Sequence, residues 1–162
     1  MIEALVIGAL TYVGVTAHHT NSTKMEALNH ALSYVGTKGM VNLGSGCGHQ
    51  GSSMNICLLP QVIYNVDTDG VGPKALYADL ETGTLPFAYR EFDVAFSAHI
   101  LEHLGNWEGA LTEWCRIADH VVIVLPHPAS IGGWVHPRHV NHFGYNDMKQ
   151  MVETHRNLEV FA

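Results

Sequence analysis

Apolar residues in this chain gather in short blocks with the spacing of strands, and the stretches between them carry helical spacing. Val121-Val122-Ile123-Val124-Leu125 is a continuous apolar run, the mark of a strand covered on both faces of a parallel sheet. Gly39–Leu43, Val62–Val66, Ala75–Asp79 and Phe92–Phe96 read as four further strands. Met25, Leu28, Ala31, Leu32 and Val35 predict a helix capped by Asn21 or Ser22 and stopped near Gly36. Trp107, Ala110, Leu111, Trp114 and Ala118 share one face of an amphipathic helix capped by Asn106. A short helix over His49–Leu59 ends at Pro60, and a last one carries Met148, Met151, Val152 and His155 into Leu158–Phe161. Pro126–Gly144 is a long loop rich in Pro, Gly and His. Strands alternating with helices predict α/β architecture: a doubly wound, mostly parallel sheet with flanking helices.

The N-terminal stretch changes this picture slightly. Ala4–Ala17 is apolar and uncharged but spans 14 residues, fewer than the roughly 20 that cross a bilayer. No Lys or Arg precedes it, as a secretory signal requires. Leu5-Val6-Ile7 and Tyr12–Val15 suit strands, so an element packed on the core or at an interface is expected rather than a membrane anchor. The organisation expected is an apolar segment and helix over 1–38, then one compact unit over 39–162.

Charge and cysteine content narrow the function. The 162 residues carry a formal net charge of −7, and the eight basic residues are scattered, which argues against a nucleic-acid partner. Cys47, Cys57 and Cys115 make neither a C-x-x-C pair nor an even framework, so small buried thiols in a reducing cytoplasm are expected.

The chemistry concentrates after the first strand of the sheet. In Val41-Asn42-Leu43-Gly44-Ser45-Gly46-Cys47-Gly48 an apolar run breaks into alternating glycines, and Val62–Asp67 closes a second strand with a carboxylate 23 residues after Gly44. Such glycines let backbone approach a ligand, and the acid accepts hydrogen bonds from ribose hydroxyls, so an adenosine-containing cofactor is expected. The third glycine of G-x-G-x-x-G has no clean counterpart here, which disfavours a nicotinamide dehydrogenase.

Taken together, V-N-L-G-S-G-C-G, Y-N-V-D, A-D-L-E at 78–81 and F-D-V-A-F-S-A-H-I-L-E-H-L at 92–104 resemble the class I, Rossmann-like S-adenosylmethionine-dependent methyltransferases. V-I-V-L-P-H-P at 122–128 and H-P-R-H-V-N-H-F-G-Y at 136–145 are similar to its small-molecule and glycan-tailoring members, so the resemblance runs from about Gly39 onward. It implies S-adenosylmethionine as cofactor and a small-molecule or sugar-like methyl acceptor. Gly44, Ser45, Gly46 and Gly48 would lie against the cofactor, Asp67 on its ribose, Asp79 and the Leu80 backbone on its adenine, and Ser97 under the donor. Asn42 stands where the family often has an acid for the cofactor's amino group. His99 and His139 are the candidate catalytic bases, with His127, His136 and His142 in the same loops. An Asn/Asp-Pro-Pro-aromatic turn, which a nucleic-acid amino-methyltransferase needs, is absent after the 92–96 strand.

Two departures keep alternatives open. The family's final antiparallel strand has no counterpart, so the fold looks truncated at its C-terminal end unless the N-terminal segment, a second copy or a partner subunit covers the edge. A non-catalytic cofactor-binding or assembly subunit is one alternative. The other is a zinc hydrolase, because His99-Ile100-Leu101-Glu102-His103 matches H-x-x-E-H. That string follows a buried strand, and no metal is expected there. The loop histidines from His127 to His142 could still converge on one.

Overall fold

The computed structural model describes residues 3–7, 10–14, 20–47, 54–130 and 135–162. Its strands are β1 (Glu3–Ile7), β2 (Leu10–Gly14), β3 (Met40–Leu43), β4 (Val62–Asp67), β5 (Ala75–Tyr77), β6 (Phe92–Ala98), β7 (Ala118–Val124) and β8 (Leu158–Phe161). The α-helices among the described residues are α1 (Thr20–Ser33), α2 (Met54–Cys57), α3 (Trp107–Ile117) and α4 (Tyr145–Thr154). The sheet order is β1-β2-β8-β7-β6-β3-β4-β5. Every pairing is parallel except β1 with β2.

Alternation along each strand sorts side chains between two cores, as a sheet covered on both faces demands. Val41, Leu43, Val121, Ile123, Leu158 and Val160 face the side of α3 and α4, where Trp114 and Met148 are buried. Met40, Val94, Phe96, Val122, Val124 and Phe161 face the side of α1 and α2. Helix α1 contacts this face through Ala27, Leu28 and Ala31, while Met25 is half exposed. The buried stripe is therefore rotated from the expected one, because alanines let the helix lie close to the strands. A polar tie adds to this contact: the Tyr34 hydroxyl donates to Glu159 Oε1 at 2.8 Å, and His30 meets the other oxygen. Burial, then the Glu159 carboxylate, pushes the Tyr34 hydroxyl up to about 12.

Among the described residues the family's final antiparallel strand is absent at the edge beyond β7, as expected, and of the expected covers it is the N-terminal segment that lies there. β8 pairs in parallel directly with β7, and β2 pairs with β8 through Tyr12↔Val160 and Val13↔Phe161. The β1–β2 hairpin thus continues the sheet past β8 and occupies the edge β8 would otherwise expose. Among the described residues no helix is long and apolar enough to cross a membrane.

Two carboxylates tie the segments around the central strands together. Asp93 Oδ2 accepts the backbone N–H groups of Gly36, Lys38 and Gly39 at 2.8, 2.9 and 2.9 Å, fixing the entry to β3 beside β6. Glu113 on α3 accepts Leu85 N–H at 2.7 Å and the Arg116 guanidinium at 2.6 and 2.7 Å, and Arg116 donates onward to Phe87 O. Helix α3 starts at Asn106, whose side chain makes no cap. The Glu81 carboxylate instead accepts Gly105 and Asn106 N–H at 2.8 and 3.0 Å, placing an anion at the helix N-terminus.

Candidate functional site

The chain leaves β3 in a turn that only glycine adopts without strain at its first position. Gly44 has φ +67°, and a Cβ there would lie 2.2 Å from Ile100 Cγ1. The Gly44 and Ser45 N–H groups both donate to Val66 O, at 2.9 and 3.1 Å, so the turn folds across the end of β4. Asp67 ends that strand, accepting Gly46 N–H at 2.6 Å and Thr68 N–H at 2.7 Å. The Thr68 hydroxyl also donates to Oδ1 at 3.4 Å, while Oδ2 keeps a lone pair beyond its bond to Gly46. Asn42 is not part of this surface: it is buried in β3 and its amide donates sideways to Asn65 Oδ1 at 2.9 Å. Asp79 lies past the end of β5, exposed, and accepts Glu81 N–H at 2.9 Å as the cap of a 3-10 turn over Leu80–Thr82. Gly48 and residues 49–53 of the helix expected over His49–Leu59 fall outside the described residues; α2 covers Met54–Cys57.

The expected thiols at Cys47 and Cys57 are instead a disulfide, with Cα atoms 6.1 Å apart. The end of α2 thus lies within bridging distance of the glycine turn. A separation of 10 residues matches no redox or metal spacing, which is why spacing alone missed the pair. Cys115 is the free cysteine among the described residues, its thiol pushed up to about 12 by burial.

The second half of the site follows β6. Ser97 is buried at the strand end, and His99 takes φ +58°, held by its N–H bond to Val124 O at 2.9 Å. That left-handed residue and the single 3-10 turn Leu101–His103 break the helix H-x-x-E-H would need, so the zinc-peptidase arrangement does not form. Glu102, set aside with that pattern in the sequence, sits at the centre. It is 1% exposed and neither carboxylate oxygen has a hydrogen bond. His99 Nδ1 lies 3.5 Å from its Oε1, and His139 Nε2 4.0 Å. The Glu102 backbone carbonyl accepts Val140 and Asn141 N–H, both at 3.0 Å, pinning the 135–144 loop over the turn. Glu102, Pro126, His127, His139, His142 and Phe143 line a small cleft there. The structure therefore brings His99 and His139 to one carboxylate, with His127 and His142 lining the same cleft. His136 stacks on His139, and its protonation is disfavoured by partial desolvation, then by His139, His103 and Arg138.

Both halves lie at the carboxyl edge of the sheet, where β3 sits between β4 and β6 and the winding reverses. A family model described as a methyltransferase domain matches residues 43–121, from the end of β3 into β7. The chain carries a methyltransferase domain. With its Rossmann-like sheet it is of class I, whose members take S-adenosylmethionine as methyl donor. The YcgJ protein of Bacillus subtilis shares the fold of this methyltransferase domain at TM-score 0.59 and 16% identity, over 83% of this chain and 67% of that one. BH2331 of Bacillus halodurans C-125, classed as a methyltransferase, gives 0.55 and 16% over 81% and 64%. A chain of the complex between the Haloferax volcanii Trm112 methyltransferase activator and a methyltransferase gives 0.53 and 14%, over 87% and 76%. The domain spans about two thirds of the length of the first two. No curated protein matches it as a relative.

Proposed function

We propose that the domain binds S-adenosylmethionine across the β3 and β4 ends and methylates a small-molecule or sugar-like acceptor in the cleft beneath the 126–144 loop. One observation carries this reading: the Gly44–Gly46 turn and the Asp67 carboxylate meet at the topological switch point, where open α/β sheets bind ligands. The residues fit a nucleoside. Asp67 is oriented by two backbone N–H bonds and offers its remaining lone pair to the vicinal hydroxyls, while Asp79 and Leu80 stand past the neighbouring strand for the adenine. The cofactor's sulfonium supplies an already activated methyl group, so the chain must orient the acceptor and exclude water. Ser97 and His99 floor the donor side, and His139, 4.0 Å from Glu102, is a base that lines the cleft. Its imidazole would take the proton that an acceptor hydroxyl loses on methylation. The titration that tests this uses S-adenosylmethionine and its demethylated product against the full chain and Asp67→Ala. Loss of the carboxylate strands hydroxyl partners, so affinity should fall by about 1–3 kcal/mol. Unchanged affinity in a folded variant would refute the placement of the ribose.

A further inference from the structure

Three imidazoles converge beside Glu102 from two segments that the fold binds together. His103 ends the 3-10 turn after β6, and His136 and His139 come from the loop between β7 and α4. One nitrogen of each lies within 4.8 Å of those of the other two. Ring centroids stand 4.5 Å apart for His136 and His139, and 4.7 Å for His103 and His139. The rings are held from behind. His103 Nδ1 lies 2.8 Å from Arg138 O. A carbonyl only accepts, so the proton is on Nδ1 and the Nε2 lone pair is left for a Lewis acid. The backbone bonds from Val140 and Asn141 to Glu102 O fix the loop against the turn.

A second observation points the same way. Glu102, without a hydrogen bond on either oxygen and 1% exposed, lies within 4.0 Å of His139. A carboxylate is kept in such a place where positive charge compensates it. We infer that His103, His136 and His139 hold a divalent transition-metal ion of the zinc type, with Glu102 as the charge-balancing carboxylate behind His139. On a tetrahedral ion, three nitrogens at about 2.0–2.1 Å from the metal stand about 3.4 Å from one another. The rings must therefore close in by rotamer adjustments alone. His136 is the exposed member, and it gives up only the long 3.3 Å bond it accepts from Arg138 N–H. An all-imidazole set selects zinc, cobalt or nickel over magnesium or calcium. Three protein ligands also leave an open position for water or an oxygen-bearing ligand. The inference does not depend on methyl transfer; with the ion bound His139 is a ligand, and His99 is then the imidazole beside Glu102 left to take an acceptor's proton.

The test titrates metal-stripped full-length protein with Co²⁺ and follows its visible absorption, then displaces it with Zn²⁺. One Co²⁺ per chain is expected, released by one Zn²⁺. His103→Ala and His136→Ala should each weaken binding at least tenfold, and Glu102→Gln by about 10–100-fold, as partners of metal-bound histidines do. Circular dichroism and S-adenosylmethionine titration monitor the fold of each variant, and the exposed His136 keeps the test usable if a buried substitution unfolds the chain. Absence of a visible band at one equivalent would overturn the inference. So would a folded His103→Ala/His136→Ala protein that binds one Co²⁺ as tightly as the parent, since the ion would then sit on other histidines.

Discussion

Removing the Cys47–Cys57 bridge should destabilise the domain by an amount its loop length sets. The two cysteines are 10 positions apart. Closing a loop of that size removes chain entropy from the unfolded state equivalent to about 2.7 kcal/mol at room temperature. That is a factor of about 100 in the folding constant, and for a domain of this size about 5–10 °C in Tm. The perturbation is made twice, by a phosphine reductant and by the Cys47→Ser/Cys57→Ser double variant, and both should give the same loss. Thermal melts by circular dichroism measure it. Alkylation in denaturant followed by mass spectrometry counts thiols: one before reduction, at Cys115, and three after. The native protein should leave Cys115 slow to react, because burial holds its thiol at about 12. Three reactive thiols without reductant would refute the bridge. A double variant melting within a degree of the parent would refute the entropy argument even if the bridge forms.

Further expectations follow from single side chains. The Arg116 guanidinium, working against burial, holds the Glu113 carboxyl below its usual range. Its contribution is therefore complete above the ordinary glutamate pKa of about 4.3 and fades as pH falls through the lower folded value. Glu113→Gln should flatten that acid limb in melts across pH, and an unchanged slope would exclude Glu113 as its source. Asp93→Ala leaves three backbone N–H groups without their acceptor and should cost about 2 kcal/mol, read from urea unfolding. Gly44→Ala combines a left-handed φ with a clash on Ile100 and should cost about 2–4 kcal/mol. Adding Ile100→Ala should recover the steric part only; full recovery would mean the dihedral carries no cost.

The parallel sheet was legible because its central strands are largely apolar runs buried on both sides, Val121–Leu125 above all, and such runs need no tertiary information. The Gly44 turn and Asp67 were legible for a related reason: consecutive strands set their spacing, and the structure joins them through the Gly46 N–H. What stayed hidden depends on segments distant in the chain. Leu10–Gly14 reads as a strand able to cover the edge, but nothing in it sets its register on β8, and nothing near Asn106 says that Glu81 will accept the N–H groups just ahead of α3. Met25 fits the helical period as well as Ala27 does, and only the depth of the groove on β6 and β7 chooses the smaller residue. Glu102 was visible as part of a motif, but its burial came from the loop that folds over it.

The pairing of β2 with β8 bears on the order in which the molecule is made. Tyr12 and Val160 are about 150 positions apart and sit side by side in the sheet. During synthesis the hairpin leaves the ribosome well before its parallel partner, which follows about 150 positions later. It must wait without that partner while the central strands assemble. Closing so long a loop costs about 4 kcal/mol of chain entropy, so the hairpin should dock last and detach first. Its amides would then exchange with solvent sooner than those of β3 or β6, and a chaperone that shields one short strand would serve the nascent chain better than one that encloses the whole domain.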